Sequence, residues 1–158
     1  MASKELNVGD PAPDFRLPST EGRDISLKEF RGKKNVVLYF YLKDDTPGCT
    51  KEACSFRDER PKFDKAAAVI LGVSFDDLAS HAKFAEKYKL PFTLLSDADK
   101  TVATAYGVYK EKSMYGRTYM GIERSTFVID KNGTIAQIYR KVKVDGHSDE
   151  ILEALSAM

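Results

Sequence analysis

The sequence predicts an α/β protein whose central sheet mixes parallel and antiparallel strands and is flanked by helices. Three observations carry that expectation. Two runs, Val36-Val37-Leu38-Tyr39-Phe40-Tyr41 and Ala68-Val69-Ile70-Leu71-Gly72-Val73-Ser74, are apolar without the alternation of a half-exposed strand, as strands buried on both faces are. Each run is followed by a segment of helical composition, the alternation that builds parallel sheets. Late in the chain, Ser125 to Asp130 and Thr134 to Arg140 flank Lys131-Asn132-Gly133. That is a hairpin signal, because Asn-Gly accepts the positive φ angles of tight turns.

The elements follow in order. Asn7 to Pro13 is rich in turn formers, and its prolines hold the chain extended. Phe15-Arg16-Leu17 and Asp24-Ile25-Ser26 flank Glu21-Gly22 and read as a short hairpin. After the first buried strand comes the loop Lys43 to Gly48, then a helix from Cys49 onward, interrupted at Pro61. After the second strand, Asp76 and Asp77 open a helix that runs to Tyr88, with Leu78, Ala82 and Ala85 on one face. Phe92 to Leu95 reads as a short strand and Thr101 to Tyr106 as a short helix. Ser148 to Ala157 reads as a closing helix with Asp149 and Glu150 in its first turn. This order fits a thioredoxin-like mixed sheet.

The 158 residues match one domain by the size prior of roughly 100–200 residues, and no repeat or linker marks a second. With 25 basic and 24 acidic residues there is no charge imbalance to attract nucleic acid or an anionic membrane. No apolar run approaches the ~20 residues that span a bilayer. The opening Met1 to Asn7 has neither a signal peptide's apolar stretch nor an Arg-rich transit extension, so a cytoplasmic location is expected. Two cysteines are too few for a disulfide framework, and they are either core residues or chemistry.

The loop Lys43 to Gly48 leaves a buried strand at its C-terminal end, where open α/β sheets usually carry their sites. Cys49 falls in the first turn of the helix that follows. Unpaired N–H groups and the positive end of the helix dipole there favour a thiolate. Thr46, three residues upstream, could hydrogen-bond the sulfur or an oxygen bound there. It is equally consistent with the spacing that Thr46 or Thr50 only caps the helix and that Cys49 fills space.

The string Thr46-Pro47-Gly48-Cys49-Thr50-Lys51-Glu52-Ala53-Cys54 resembles the active-site signature of the PrxQ group of peroxiredoxins, the bacterioferritin comigratory proteins. The resemblance extends through Gly9-Asp10-Pro11-Ala12-Pro13-Asp14-Phe15, Leu71-Gly72-Val73-Ser74 and Tyr115 to Phe127, in order over nearly the whole chain. It implies a peroxiredoxin fold and a thiol peroxidase that needs no cofactor and acts on hydrogen peroxide and organic hydroperoxides. By position, Cys49 matches the peroxidatic cysteine, which becomes a sulfenic acid. Cys54 matches the resolving cysteine of members that close an intramolecular disulfide. Thr46 matches the hydroxyl that positions the peroxide, and Arg124 the guanidinium that stabilises the thiolate and polarises the O–O bond. The implied reductant is thioredoxin or a glutaredoxin-like dithiol protein, and the implied assembly a monomer or weak homodimer. One residue departs from the pattern: Leu42 stands where the family usually has a proline, seven positions before the peroxidatic cysteine.

The physical case for Arg124 is that it directly precedes a strand of buried type, and that its rigid fork of donors suits an anionic sulfur and a leaving hydroxide. Two residues five apart in a regular helix have Cα atoms roughly 8.6 Å apart, beyond the ~7 Å a disulfide tolerates. Closing Cys49 to Cys54 therefore requires local unwinding, which the charges of Lys51 and Glu52, read as exposed, would ease. His81 and His147 read as surface helix residues, and Tyr39, Phe40, Tyr41, Tyr115 and Tyr119 as core. Cys-x4-Cys without a nearby histidine makes no zinc site. The rivals are a thiol–disulfide oxidoreductase, for which Cys-x-x-Cys would be usual, and a non-catalytic binding module, which would not need Thr46, Cys49 and Arg124 together.

Overall fold

The computed structural model describes residues 5–158; Met1 to Lys4, part of the stretch read for a leader, lie outside the described residues. Strands β1 (Arg16–Pro18) and β2 (Asp24–Ser26) form the first hairpin. Then come β3 (Asn35–Phe40), α1 (Pro47–Lys65), β4 (Ala68–Ser74), α2 (Leu78–Tyr88), β5 (Thr93–Ser96) and α3 (Thr101–Ala105). The chain finishes with β6 (Tyr109–Met114), β7 (Arg117–Ile122), β8 (Ser125–Ile129), β9 (Ile135–Tyr139) and α4 (His147–Ser156).

The main sheet has the order β5-β4-β3-β8-β9. β3, β4 and β5 run parallel, whereas β8 is antiparallel to β3 and β9 to β8. This is the mixed, thioredoxin-like sheet expected from the apolar runs. β3 is buried on both sides, and its residues alternate between two cores. Val36, Leu38 and Phe40 pack with Leu17, Ile25, Val102 and Tyr106. Val37, Tyr39 and Tyr41 pack with Ala53, Phe56, Phe84 and Ile151. Helices α1, α2 and α4 therefore cover one face, while α3 and the first hairpin cover the other. Each fully buried large apolar side chain contributes ~1.5–3 kcal/mol, so β3 is held firmly from both faces, as are its neighbours β4 and β8, which also supply residues to both cores.

The β8–β9 hairpin forms where Asn132-Gly133 predicts it, but only Gly133 adopts positive φ (80°). The Gly133 amide closes a turn on the Asp130 carbonyl at 3.0 Å, and the Asp130 amide bonds the Thr134 carbonyl at 2.9 Å. This is a three-residue loop with glycine in the left-handed position.

Four features differ from expectation. Helix α1 runs on through Pro61 to Lys65, without the interruption read there. The core face of α2 is His81 and Phe84, while Leu78 is 38% exposed and Ala82 is exposed. The apolar periodicity misleads because a buried histidine occupies the inward position. The β6–β7 hairpin has no counterpart in the predicted elements. Arg117 to Met120 of β7 are all exposed, so the strand shows no buried, period-2 pattern to read. Its turn is made by Tyr115 and Gly116, both at positive φ (52° and 76°). Tyr115 and Tyr119, read as core, are 98% and 44% exposed.

Candidate active site

Helix α1 starts at the C-terminal end of β3. Thr46 occupies its N-cap with extended backbone, and Pro47 follows at the first helical position. A proline is suited there, because its φ is helical and its missing N–H would have had no partner. Cys49 is thereby held in the first turn, at the positive end of the helix dipole. It is 2% exposed and packs in the core that includes Tyr39 and Ala53.

Sheet register delivers Arg124 to the same place. Phe40, the last residue of β3, pairs with Ser125, the first of β8, so the residue before β8 lies beside the exit from β3. The Arg124 backbone carbonyl is fixed by the Val142 amide at 3.0 Å. Its guanidinium then forks: Nη2 donates to Cys49 Sγ at 3.2 Å, and Nη1 donates to Glu52 Oε1 at 2.6 Å. A Cβ built on Gly48 would stand 3.2 Å from that Nη2, so the glycine leaves the guanidinium its approach to the sulfur.

Glu52 is a correction to the sequence reading. It is 1% exposed and paired with Arg124. Being three residues after Cys49, it shares that residue's helix face; this spacing was the signal that could have found it. Burial pushes its carboxyl up to about 7, against the charge and hydrogen bond of Arg124, which act to lower it. Its Oε2 has no hydrogen-bond partner among the described residues. Burial alone would lower the Arg124 pKa, but Glu52 and Cys49 hold it above its ordinary value.

Thr46 is half-buried, and its hydroxyl donates to the Lys43 carbonyl at 2.8 Å. It makes no side-chain cap bond. With its proton engaged, the Thr46 oxygen is left as an acceptor. Cys54 lies farther along α1, half-buried, and both cysteines are free. Leu42 is 45% exposed at the edge of a cleft of about 610 Å³, which Arg124, Lys110, Lys112 and Lys141 also line. Of the site residues Thr46, Cys49, Cys54 and Arg124, Arg124 is the one that lines this cleft.

The histidines are a second correction: His81 and His147 are 0% and 2% exposed. Burial, with a smaller contribution from Arg124, lowers the pKa of His147 despite the opposing effect of Glu150. Thr126 Oγ1 lies 2.8 Å from its Nε2, and Glu150 Oε1 lies 2.5 Å from its Nδ1. His81 forms, with Asp44 and Asp76, the group of potential metal ligands among the described residues. Their facing atoms are already bonded to one another and to Tyr41, Ser74 and Ser80. That donor set fits a hydrogen-bonded network better than a metal.

A thioredoxin-like sheet with a helix-start cysteine held by an arginine defines the class of thiol-dependent peroxidases. Comparison with known proteins agrees. The AhpC/TSA family model matches residues 8–138. The chain is 49% identical to peroxiredoxin Bcp of Bacillus subtilis, over 97% of each chain. Solved relatives include the bacterioferritin comigratory protein of Xanthomonas campestris, characterised for alkyl peroxide reduction. It is 44% identical, covers 96% of each chain and has a TM-score of 0.88. PrxQ of Xylella fastidiosa is 38% identical over 98% of each chain, with a TM-score of 0.91. The chain belongs to the AhpC/TSA family of peroxiredoxins, and it is a thiol peroxidase that takes peroxide as substrate and a thiol as reductant. No helix among the described residues is long and apolar enough to cross a membrane.

Proposed function

We propose that Cys49 is the peroxidatic residue, Cys54 the resolving one, and Thr46 and Arg124 the groups that align and polarise the peroxide. The Cys49 thiolate attacks one peroxide oxygen and the O–O bond breaks. The departing oxygen leaves as water or alcohol after taking a proton, and Cys49 becomes a sulfenic acid. The Cys54 sulfur then displaces the hydroxyl as water and forms the Cys49–Cys54 disulfide. A dithiol protein such as thioredoxin or a glutaredoxin-like reductant restores both thiols with two electrons and two protons. The observation that carries this reading is the Arg124 fork, which bridges Cys49 Sγ and buried Glu52 at the start of α1. Arg124 presents donors where negative charge develops on both the sulfur and the leaving oxygen. The Thr46 oxygen accepts a hydrogen bond from the peroxide O–H, because its own hydrogen is given to the Lys43 carbonyl. Alkyl peroxides are included among the substrates because the Xanthomonas relative is characterised for alkyl peroxide reduction. The cytosol keeps thiols reduced, and we place the enzyme there as a monomer or weak homodimer, with no nucleic-acid or membrane partner.

The test is peroxide consumption driven by thioredoxin and its reductase. Cys49→Ser should abolish fast turnover. Cys54→Ser should react once, stop as the sulfenic acid, and overoxidise at higher peroxide. Substantial turnover by Cys49→Ser would overturn the assignment.

A further inference from the structure

The loop that carries Thr46 is fastened to α2 by a buried charged network. Asp44 is 7% exposed and His81 0%. Asp44 Oδ1 accepts from the Tyr41 hydroxyl at 2.5 Å, and Oδ2 accepts from the Ser80 hydroxyl at 2.8 Å. His81 Nδ1 lies 2.7 Å from that same Oδ2, and His81 Nε2 lies 2.8 Å from the Leu95 carbonyl oxygen. The Asp44 amide donates to Asp76 Oδ2 at 2.8 Å. The neighbouring Asp45, at positive φ (59°), accepts from Lys87 and Tyr88, both at 2.7 Å.

The two acceptors around His81 determine its protonation. The Tyr41 hydroxyl, 3.3 Å from Nδ1, gives its proton to Asp44 Oδ1 at the shorter distance of 2.5 Å. The carboxylate oxygen and the backbone carbonyl have no proton to give, so both ring nitrogens donate, which only the imidazolium can do. A neutral ring would turn a lone pair toward one acceptor in a buried site.

We propose that His81, held as a buried imidazolium between Asp44 and the Leu95 carbonyl, is the positioning residue that fixes the Thr46 loop for the reaction at Cys49. This proposal rests on the reading of Cys49 as the peroxidatic thiol. Asp44 is two residues before Thr46 and five before Cys49, so the clamp forms the rigid end of the segment. The first turn of α1 unwinds to close the disulfide while the loop ahead of it stays on α2, and the reduced enzyme refolds against a fixed Thr46. The groups facing His81 are Asp44 and Tyr41 from the β3 end, Asp76 from the β4 end, Ser80 from α2 and Leu95 from β5. Burial alone would lower the His81 pKa, but Asp44 as partner and countercharge, the Leu95 carbonyl and Asp76 hold it above the ordinary value. The clamp is therefore complete below the unfolded value near ~6.5 and is lost as pH rises through the folded one.

The test pairs two substitutions with one spectrum. Asparagine's amide reaches where Nδ1 stands, so His81→Asn keeps the bond to Asp44. Glutamine's reaches where Nε2 stands, so His81→Gln keeps the Leu95 bond and loses Asp44. With peroxide, His81→Gln should slow by about ten- to a hundredfold, the scale set by a misplacement near 1 Å, and His81→Asn should stay within about threefold of wild type. In the wild type, nitrogen NMR of labelled histidine should show both His81 ring nitrogens protonated at pH 7. Exchange of the Asp44 amide, corrected for its intrinsic pH dependence, should accelerate only as that proton is lost. Equal slowing of the two variants, or a neutral His81 at pH 7, overturns the proposal; the spectrum decides it even if neither variant folds. Failure of the Cys49 assignment would show separately, as turnover in Cys49→Ser with the His81 spectrum unchanged.

Discussion

Arg124 is 15% exposed in its side chain and stands between two partners of different hardness, a sulfur and a carboxylate. A lysine could keep the charge but not both bonds, because a point ammonium lacks the planar fork. Arg124→Lys should therefore lower the second-order rate with peroxide by about 10²–10³, the effect of losing one oxyanion donor, with little change in stability. An unchanged rate in stopped-flow mixing would remove Arg124 from the chemistry. Glu52 yields a stability prediction. Its ordinary value is 4.5 and its folded value about 7, so between those pH values the folded state holds a proton that the unfolded state has released. Stability from this group falls as pH rises across that window. Glu52→Gln removes the proton exchange, so the wild-type loss relative to the variant should grow from about pH 4.5 to about 7. Urea unfolding across that range tests it, and parallel curves would contradict it.

On the proposed mechanism, the first turn of α1 must be well formed to react and must open to resolve. Both cysteines lie in one helix, and both are free, so residues five apart stand roughly 8.6 Å apart at Cα and cannot bond as they are. The opening is not eased by Glu52, which is buried and paired. What eases it is Gly48, the second residue of the helix, whose backbone freedom makes the turn less stable than alanine would. Gly48→Ala should stabilise the turn by up to about 1 kcal/mol and slow disulfide closure by about fivefold. Its Cβ contact with Arg124 at 3.2 Å should also trim the peroxide step, by less than about threefold. Quenched mass analysis separates the two steps. Faster closure would mean that the turn does not need to unwind.

At the scale of the whole molecule, reactivity depends on a sheet that brings residues 49 and 124 together across 75 positions of sequence. Tyr39 and Gly72 form one register pair between β3 and β4, and a Cβ at Gly72 would lie 2.8 Å from the Tyr39 ring and 2.9 Å from Leu94. Those neighbours are fully buried and cannot yield without repacking. Gly72→Ala should thus destabilise the fold by ~1–3 kcal/mol, read as a lower urea midpoint. It should also weaken the Arg124 contact indirectly, because Tyr39 shares its core with Cys49. Unchanged stability would show that the core has slack there.

The sequence by itself determined the sheet's buried strands, both closing hairpin strands and the start of α1, and it singled out Thr46, Cys49, Cys54 and Arg124 as the residues proposed to carry the chemistry. Those are local patterns: runs of apolar residues, turn formers and a helix-start cysteine within a recognisable signature. Only tertiary structure decided the rest. Glu52, His81 and His147 carry charged or polar side chains that local pattern assigns to the surface. Each is buried because a partner distant in sequence, or in the case of His147 a threonine and a glutamate, satisfies it. The β6–β7 hairpin escaped for the opposite reason, since an exposed ribbon has no core face to impress a period on its residues. Arg124 shows the division most directly. Its chemistry can be argued from its type and from the strand that follows, but its meeting with Cys49 follows only from an antiparallel register pairing Phe40 with Ser125.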